Sequence, residues 1–163
     1  MADLRRSVVP HSASVANFAK RLACSTGLWP VLVYLWRMEK KIINTPNAPA
    51  PIGPYSQAVQ TGDLLVISGQ IAIDPATNKV EATDMIGETH QVMHNLRAIL
   101  AAASLDFGHV VKTTILLTDM ASFTEVNEVY GKYFTGDFPA RETYAVKTLP
   151  KNVNVEISMI AVL

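Results

Sequence analysis

Residues 153–162 read Val-Asn-Val-Glu-Ile-Ser-Met-Ile-Ala-Val, with an apolar residue at every second position. Successive side chains of a strand point to opposite faces, so this segment is a strand with two unlike sides. Val153, Val155, Ile157, Met159 and Ala161 make one side wholly apolar, and that side needs a layer of helices over it. Asn154, Glu156, Ser158, Ile160 and Val162 make the other, where polar and apolar groups mix. Such a mixture suits a sheet face partly buried against another subunit, so an oligomer is expected.

The covering helices are legible upstream. Over Thr83–Leu105, Met85, Thr89, Val92, Leu96, Ile99 or Leu100, and Ala103 recur every three or four residues, with Thr83 as the expected cap and Gly108 beyond the end. A second helix is expected over Ser122–Tyr133, with Phe123, Val126, Val129 or Tyr130, and Tyr133 on one face. Strands are expected at Lys41–Asn44, Tyr55–Thr61, Leu64–Ser68 continuing to Ile73, Val110–Thr118, Thr143–Val146 and Val153–Val162. Gly62-Asp63 gives a hairpin turn, and Gly69 inside a strand pattern marks a bulge or a close backbone approach. Residues 45–54 hold four prolines and cannot donate to a central strand, so they form an extended loop. The expected class is α+β: a mixed sheet covered on one face by two helices.

At 163 residues the chain is long enough for one core. Its single cysteine, Cys24, excludes an internal disulfide framework and a thiolate-rich zinc cage. No apolar run reaches the length of an ordinary membrane helix, so no membrane partner is expected. The balanced charge hides an asymmetry. Residues 1–37 carry five basic groups and one acid, whereas residues 38–163 carry nine and thirteen. An acidic body matches phosphate backbones poorly, so no nucleic-acid partner is expected. Residues 1–37 read as an extension outside the fold, disordered, with the domain at 38–163. Three origins compete for it: an over-long reading frame whose start is Met38, which is favoured, an organelle transit peptide, or a weak signal peptide. The expected location is the cytoplasm, with organelle targeting by 1–37 the alternative.

Among candidates for chemistry, Arg141 follows Pro139 at the mouth of an apolar strand, and a planar guanidinium grips a carboxylate through two parallel bonds. Glu156 lies mid-strand among Val and Ile. Either it is a structural ion pair with Arg141 or Lys147, or it holds and activates a water. Tyr55 follows Gly53-Pro54, a rigid approach that can aim its hydroxyl. Ser68-Gly69 offers a hydroxyl and exposed main chain. Asn127 sits on the second helix. His90 and His94 are four apart, but without an H-E-x-x-H pattern a solvated helix face is favoured over a metal site. There is no nucleophile elbow, no P-loop and no dinucleotide fingerprint.

Six motifs then occur in order: Gly53-Pro54-Tyr55-Ser56-Gln57-Ala58, Ser68-Gly69-Gln70-Ile71, Val111-Lys112-Thr113-Thr114, Val126-Asn127-x-x-Tyr130, Phe138-Pro139-Ala140-Arg141, and Leu149-Pro150-Lys151 with Val155-Glu156-Ile157. From about Lys40 onward the set resembles the Rid (YjgF-type) family, and within it the RidA branch. The resemblance implies a chorismate-mutase-like α+β fold assembled as a homotrimer, with sites between subunits. It implies hydrolytic deamination of enamines and imines, such as 2-aminoacrylate, 2-iminopropanoate and 2-iminobutanoate, to 2-oxoacids and ammonia, without a metal or organic cofactor. Arg141 would clamp the substrate carboxylate, and Glu156 would position the water or the imine nitrogen. Tyr55, Ser68, Gly69 and Asn127 would line the pocket. Thr143 stands where some relatives carry cysteine, the loop Thr135-Gly136-Asp137 is short, and Ser158 replaces a frequent acid. The rival readings are an endoribonuclease or translation inhibitor, and a non-enzymatic binder or holdase.

Overall fold

The computed structural model describes residues 39–163, so the expectations for 1–37 lie outside the described residues. Among the described residues eight strands and two α-helices follow one another. The strands are β1 (Lys41–Ile43), β2 (Ala58–Thr61), β3 (Leu64–Gln70), β4 (Ile73–Asp74), β5 (Lys79–Val80), β6 (Val110–Leu117), β7 (Ala140–Ala145) and β8 (Val155–Val162). The helices are α1 (Met85–Ala102), between β5 and β6, and α2 (Phe123–Gly131), between β6 and β7. Six strands form one sheet in the order β1-β2-β3-β8-β6-β7, and β4 and β5 pair separately. Only β6 and β7 pair in parallel, which suits the helical crossover through α2 that joins them.

The alternation in β8 does what its pattern requires. Val155, Ile157, Met159 and Ala161 are buried under the helices, while Glu156, Ser158, Ile160 and Val162 are half-exposed on the far face. From α1, Val92, Met93, Leu96, Ile99 and Leu100 fill the facing layer. Each fully buried side chain of this kind contributes on the order of 1.5–3 kcal/mol of transfer free energy. Two polar clamps fix the helix on the sheet. Glu88 accepts from the backbone N and the Nδ2 of Asn154, each at 2.7 Å. Asn95, 1% exposed, donates to the carbonyls of Ile71 (3.1 Å) and Ile73 (2.9 Å). Those carbonyls lie where the chain leaves the main sheet, and a buried carbonyl left unpaired costs about 1–3 kcal/mol.

Several expected boundaries shift for identifiable reasons. Asp84, not Thr83, caps α1, its Oδ1 accepting from Gly87 N at 2.7 Å. The helix stops at Ala102 because Ser104 turns left-handed, with φ 63°. Ser122 precedes α2 without a side-chain cap, and α2 ends at Gly131 rather than Tyr133. β3 ends at Gln70, and Ile73 belongs to the separate β4–β5 hairpin. β7 starts at Ala140, three residues earlier than expected, because its ladder with β6 begins at Lys112–Ala140. β8 starts two residues late. Lys151 and Asn152, both left-handed, form a tight turn before it. The hairpin turn at Gly62 (φ 57°) is as expected.

Away from the helices the sheet face is not closed. Register places Ile42, Val59, Leu64, Val66, Ile160 and Val162 on this side, with Ile42, Leu64 and Val66 exposed. Thr114 donates to Glu142 and Lys112 pairs with it further along the same face.

Candidate functional site

The sequence candidates separate into two groups. The first gathers around the bulge in β3. Ile67 pairs with Met159 and Gln70 with Ile157, so Ser68 and Gly69 together oppose Ser158. This extra residue turns the local main chain outward. Ser68 uses its hydroxyl to donate to the Ser56 carbonyl at 2.7 Å, which fastens the bulge to the segment after the proline loop. Gln70 folds its amide back onto the carbonyls of Ser68 and Gly69.

Gly69 is required by close approach and not by backbone angle. A Cβ there would lie 1.9 Å from Glu156 Oε1 and 2.8 Å from Glu156 Cδ. The carboxylate therefore occupies the space a side chain would need. The Glu156 carboxylate makes no hydrogen bond or ion pair with any described residue, so the expected alternative of a pair with Arg141 or Lys147 is not what the fold contains. Burial pushes its carboxyl above the ordinary carboxylate range. Tyr55 completes this group. It shares with Gly69 a small hollow whose other walls include Pro49, Ala50, Ile52 and Gln70, and its hydroxyl accepts from Ile52 N at 3.3 Å.

The second group lies on α2 and β7. Arg141 pairs with Thr113, and Thr113 pairs with Met159, so its row belongs to the helix-covered side. Its Nη1 donates to Asn127 Oδ1 at 2.8 Å. The guanidinium carbon lies 5.1 Å from the centroid of the Tyr130 ring and 5.6 Å from that of Phe123. Aromatic faces favour a cation there, and they hold the guanidinium plane still. Tyr130, buried, donates to Thr113 Oγ1 at 3.1 Å. Among the described residues Arg141 meets no carboxylate, so the rest of its donor fork faces outward. Beside it the Phe138 ring is 66% exposed. Thr143, two residues along the same face, carries a buried hydroxyl with no hydrogen-bond partner among the described residues.

The helical period places Phe123 and Tyr130 on the buried face of the second helix, and Tyr130 also stands in the motif with Asn127. Their spacing about Asn127, four before and three after, already put all three on one helix face. What the spacing lacked was the knowledge that β7 runs beside that face. His90 and His94 lie near Tyr133, whose hydroxyl is 2.8 Å from His90 Nδ1, away from both groups.

One consequence is decisive for the chemistry. Glu156 lies on the row of Leu116, opposite in face to the row of Thr113 and Arg141. Within one chain the clamp and the carboxylate look away from each other. The Arg141 guanidinium and the Glu156 carboxylate are thus on two different surfaces of the chain.

The sequence profile of the family described as Endoribonuclease L-PSP matches residues 45–163. The chain belongs to this family, the Rid proteins. A 2-iminobutanoate/2-iminopropanoate deaminase of Mus musculus is 50% identical over 123 residues, 76% of this chain and 91% of that one. The crystal structure of the Rid protein YyfA of Yersinia pestis superposes with a TM-score of 0.75 at 44% identity, covering 77% of this chain and all of that one. E. coli TdcF, solved with bound serine, superposes at 0.73 and 40% identity over 76% of this chain and 98% of its own. The Rid fold, two helices against one face of a mixed sheet, is the architecture described above. No described helix is long and apolar enough to cross a membrane.

Proposed function

We propose that this Rid protein hydrolyses small imines that carry a carboxylate, and that its site is completed between neighbouring copies. The observation that carries this reading is the separation of the two groups on opposite faces, with Arg141 meeting no carboxylate and the Glu156 carboxylate bonded to nothing among the described residues. A homotrimer supplies the remedy. In a closed ring, the Arg141–Asn127 surface of one protomer meets the Tyr55–Ser68–Gly69–Glu156 surface of the next, and every contact is used once per subunit. The partly apolar open sheet face is suited to the same assembly. The 50% identity to a protein named a 2-iminobutanoate/2-iminopropanoate deaminase and the serine bound to TdcF, itself a small amino acid carboxylate, support the substrate class.

In this reading the Arg141 fork binds the substrate carboxylate through two parallel hydrogen bonds, with Asn127 and the two aromatic rings fixing its plane. The imine carbon then lies toward the neighbour's Glu156. Glu156, ionised, takes a proton from water as the water oxygen bonds to that carbon. The C=N pair moves to nitrogen, and the protonated carboxyl returns its proton there. Glu156 then takes the carbinol O–H proton and passes it to the amine nitrogen; the C=O bond forms as the C–N bond breaks, so that imine and water become 2-oxoacid and ammonia. No redox step or external reagent enters. A protonated imine is already electrophilic, so alignment of water and carbon supplies most of the acceleration.

Because Glu156 acts as a base, kcat/KM should fall as pH drops through its raised pKa, starting at higher pH than for an ordinary carboxylate. Glu156→Gln should abolish that limb along with most turnover. The same shift bears on stability with a definite sign. A carboxyl whose folded pKa is raised stabilises the fold when protonated, and that contribution is lost as pH rises through the raised value. Glu156→Gln should therefore unfold at a slightly higher temperature than wild type at neutral pH, which thermal melts can read.

The direct test generates 2-aminoacrylate in situ and follows 2-oxoacid release with and without the purified protein. Acceleration above the spontaneous rate supports the reading; none contradicts it. Incubation of the same preparation with RNA decides the rival that the family description names. Cleavage at constant specific activity through purification would favour the ribonuclease.

A further inference from the structure

The proline loop that carries Tyr55 has few means of holding its own shape. Pro46, Pro49, Pro51 and Pro54 lack amide donors, and the carbonyls of this segment enter no ladder. Three of them, those of Thr45, Ala48 and Pro49, are served by one side chain. Gln57, 2% exposed, points its amide into the loop. Its Nε2 lies 3.0 Å from Thr45 O, 3.1 Å from Ala48 O and 2.9 Å from Pro49 O, so two hydrogens serve three carbonyls. Its Oε1 accepts from Thr45 N at 2.6 Å. The reversed amide would set an oxygen against three carbonyls, so the orientation is fixed by the network. The main chain of Gln57 reaches the other way: its carbonyl accepts from Ser68 N at 3.0 Å, one residue from Gly69. A single residue thus ties together the two walls of the hollow, the loop with Pro49, Ile52 and Tyr55 and the bulge that faces Glu156.

We propose that Gln57 is a positioning residue, setting the width of the hollow between the proline loop and Gly69 and thereby the affinity for substrate. This rests on the deaminase reading above. Gln57 touches neither the hollow nor Glu156, so its influence is on how tightly the imine's side chain is enclosed and not on the proton transfers.

Gln57→Met tests it, because methionine keeps the length and volume and removes all four hydrogen bonds. The expected result is a KM about tenfold higher with kcat changed less than about threefold. Hydrogen exchange should show the amides of Thr45 and Ile52 losing protection while those of α1 keep theirs. An unchanged KM, or retained protection at Thr45 and Ile52, would overturn the proposal. Should Gln57→Met fail to fold, exchange in the wild type decides: protection of Thr45 comparable to a strand amide supports the anchor, and exchange at the rate of an open chain refutes it. The exchange measurement does not depend on turnover. An inactive wild type would overturn the deaminase reading, whereas an active wild type with an unaltered Gln57→Met would overturn only the positioning role.

Discussion

Arg141→Ala should lose 2-oxoacid release by about three orders of magnitude while its melting temperature stays close to that of wild type. The size follows from what the side chain does. The fork is held by Asn127 and two rings; in the proposed mechanism it both binds the carboxylate and orients the reacting carbon, and loss of such alignment removes several kcal/mol of barrier lowering. The small stability cost follows from its setting. Arg141 is half-exposed, bonds one neutral amide and pairs with no described acid, so its removal strands no buried charge. Arg141→Lys should recover little, since an ammonium retains the charge but not the planar fork. Arg141→Ala turning over at the wild-type rate would remove the basis for the substrate class. A holdase that shields other proteins through its surface should instead tolerate the substitution.

Gly69→Ala should lower kcat/KM by about two orders of magnitude, as displacement of a reacting group by roughly an ångström does. The added Cβ cannot coexist with Glu156 Oε1 at 1.9 Å and presses on Cγ at 3.0 Å, so the whole carboxylate arm must swing away. Since the arm can rotate toward solvent, the fold itself should lose little. Gly131→Ala is the matched control: a Cβ at this position in α2 meets nothing within 4 Å, and its activity should be that of wild type. Equal activity of Gly69→Ala and Gly131→Ala would show that the Glu156 position is not required for catalysis.

The sequence carried the layer architecture because each element declares its own period. β8 has an apolar residue at every second position, and the buried stripe of α1 recurs at helical spacing, so neither needs a partner to be recognised. Gly69 was legible as a bulge or a close approach, and it is both. What the sequence could not carry was relative placement. Arg141 and Glu156 look like natural partners at a separation of fifteen residues, yet the strand register puts them on opposite faces, and register depends on pairing across the sheet. Ala140 and Arg141 lack strand propensity, so local pattern alone gives a shorter β7. Tertiary pairing with Lys112 and Thr113 overrides that. Gln57 stands in the first motif, but its role is not legible there: its value lies in four bonds to a loop whose path no local pattern states.

Separated groups make a prediction that a site within one chain does not. Arg141→Ala and Glu156→Ala, each nearly inactive alone, are denatured together in equal amounts, refolded, and assayed for imine hydrolysis. If neighbours complete each other's sites, mixed rings contain junctions that unite an intact Arg141 with an intact Glu156. Random assembly should then restore about a quarter of the wild-type activity. A mixture no more active than its two components would place the whole reaction within single chains and contradict the shared site.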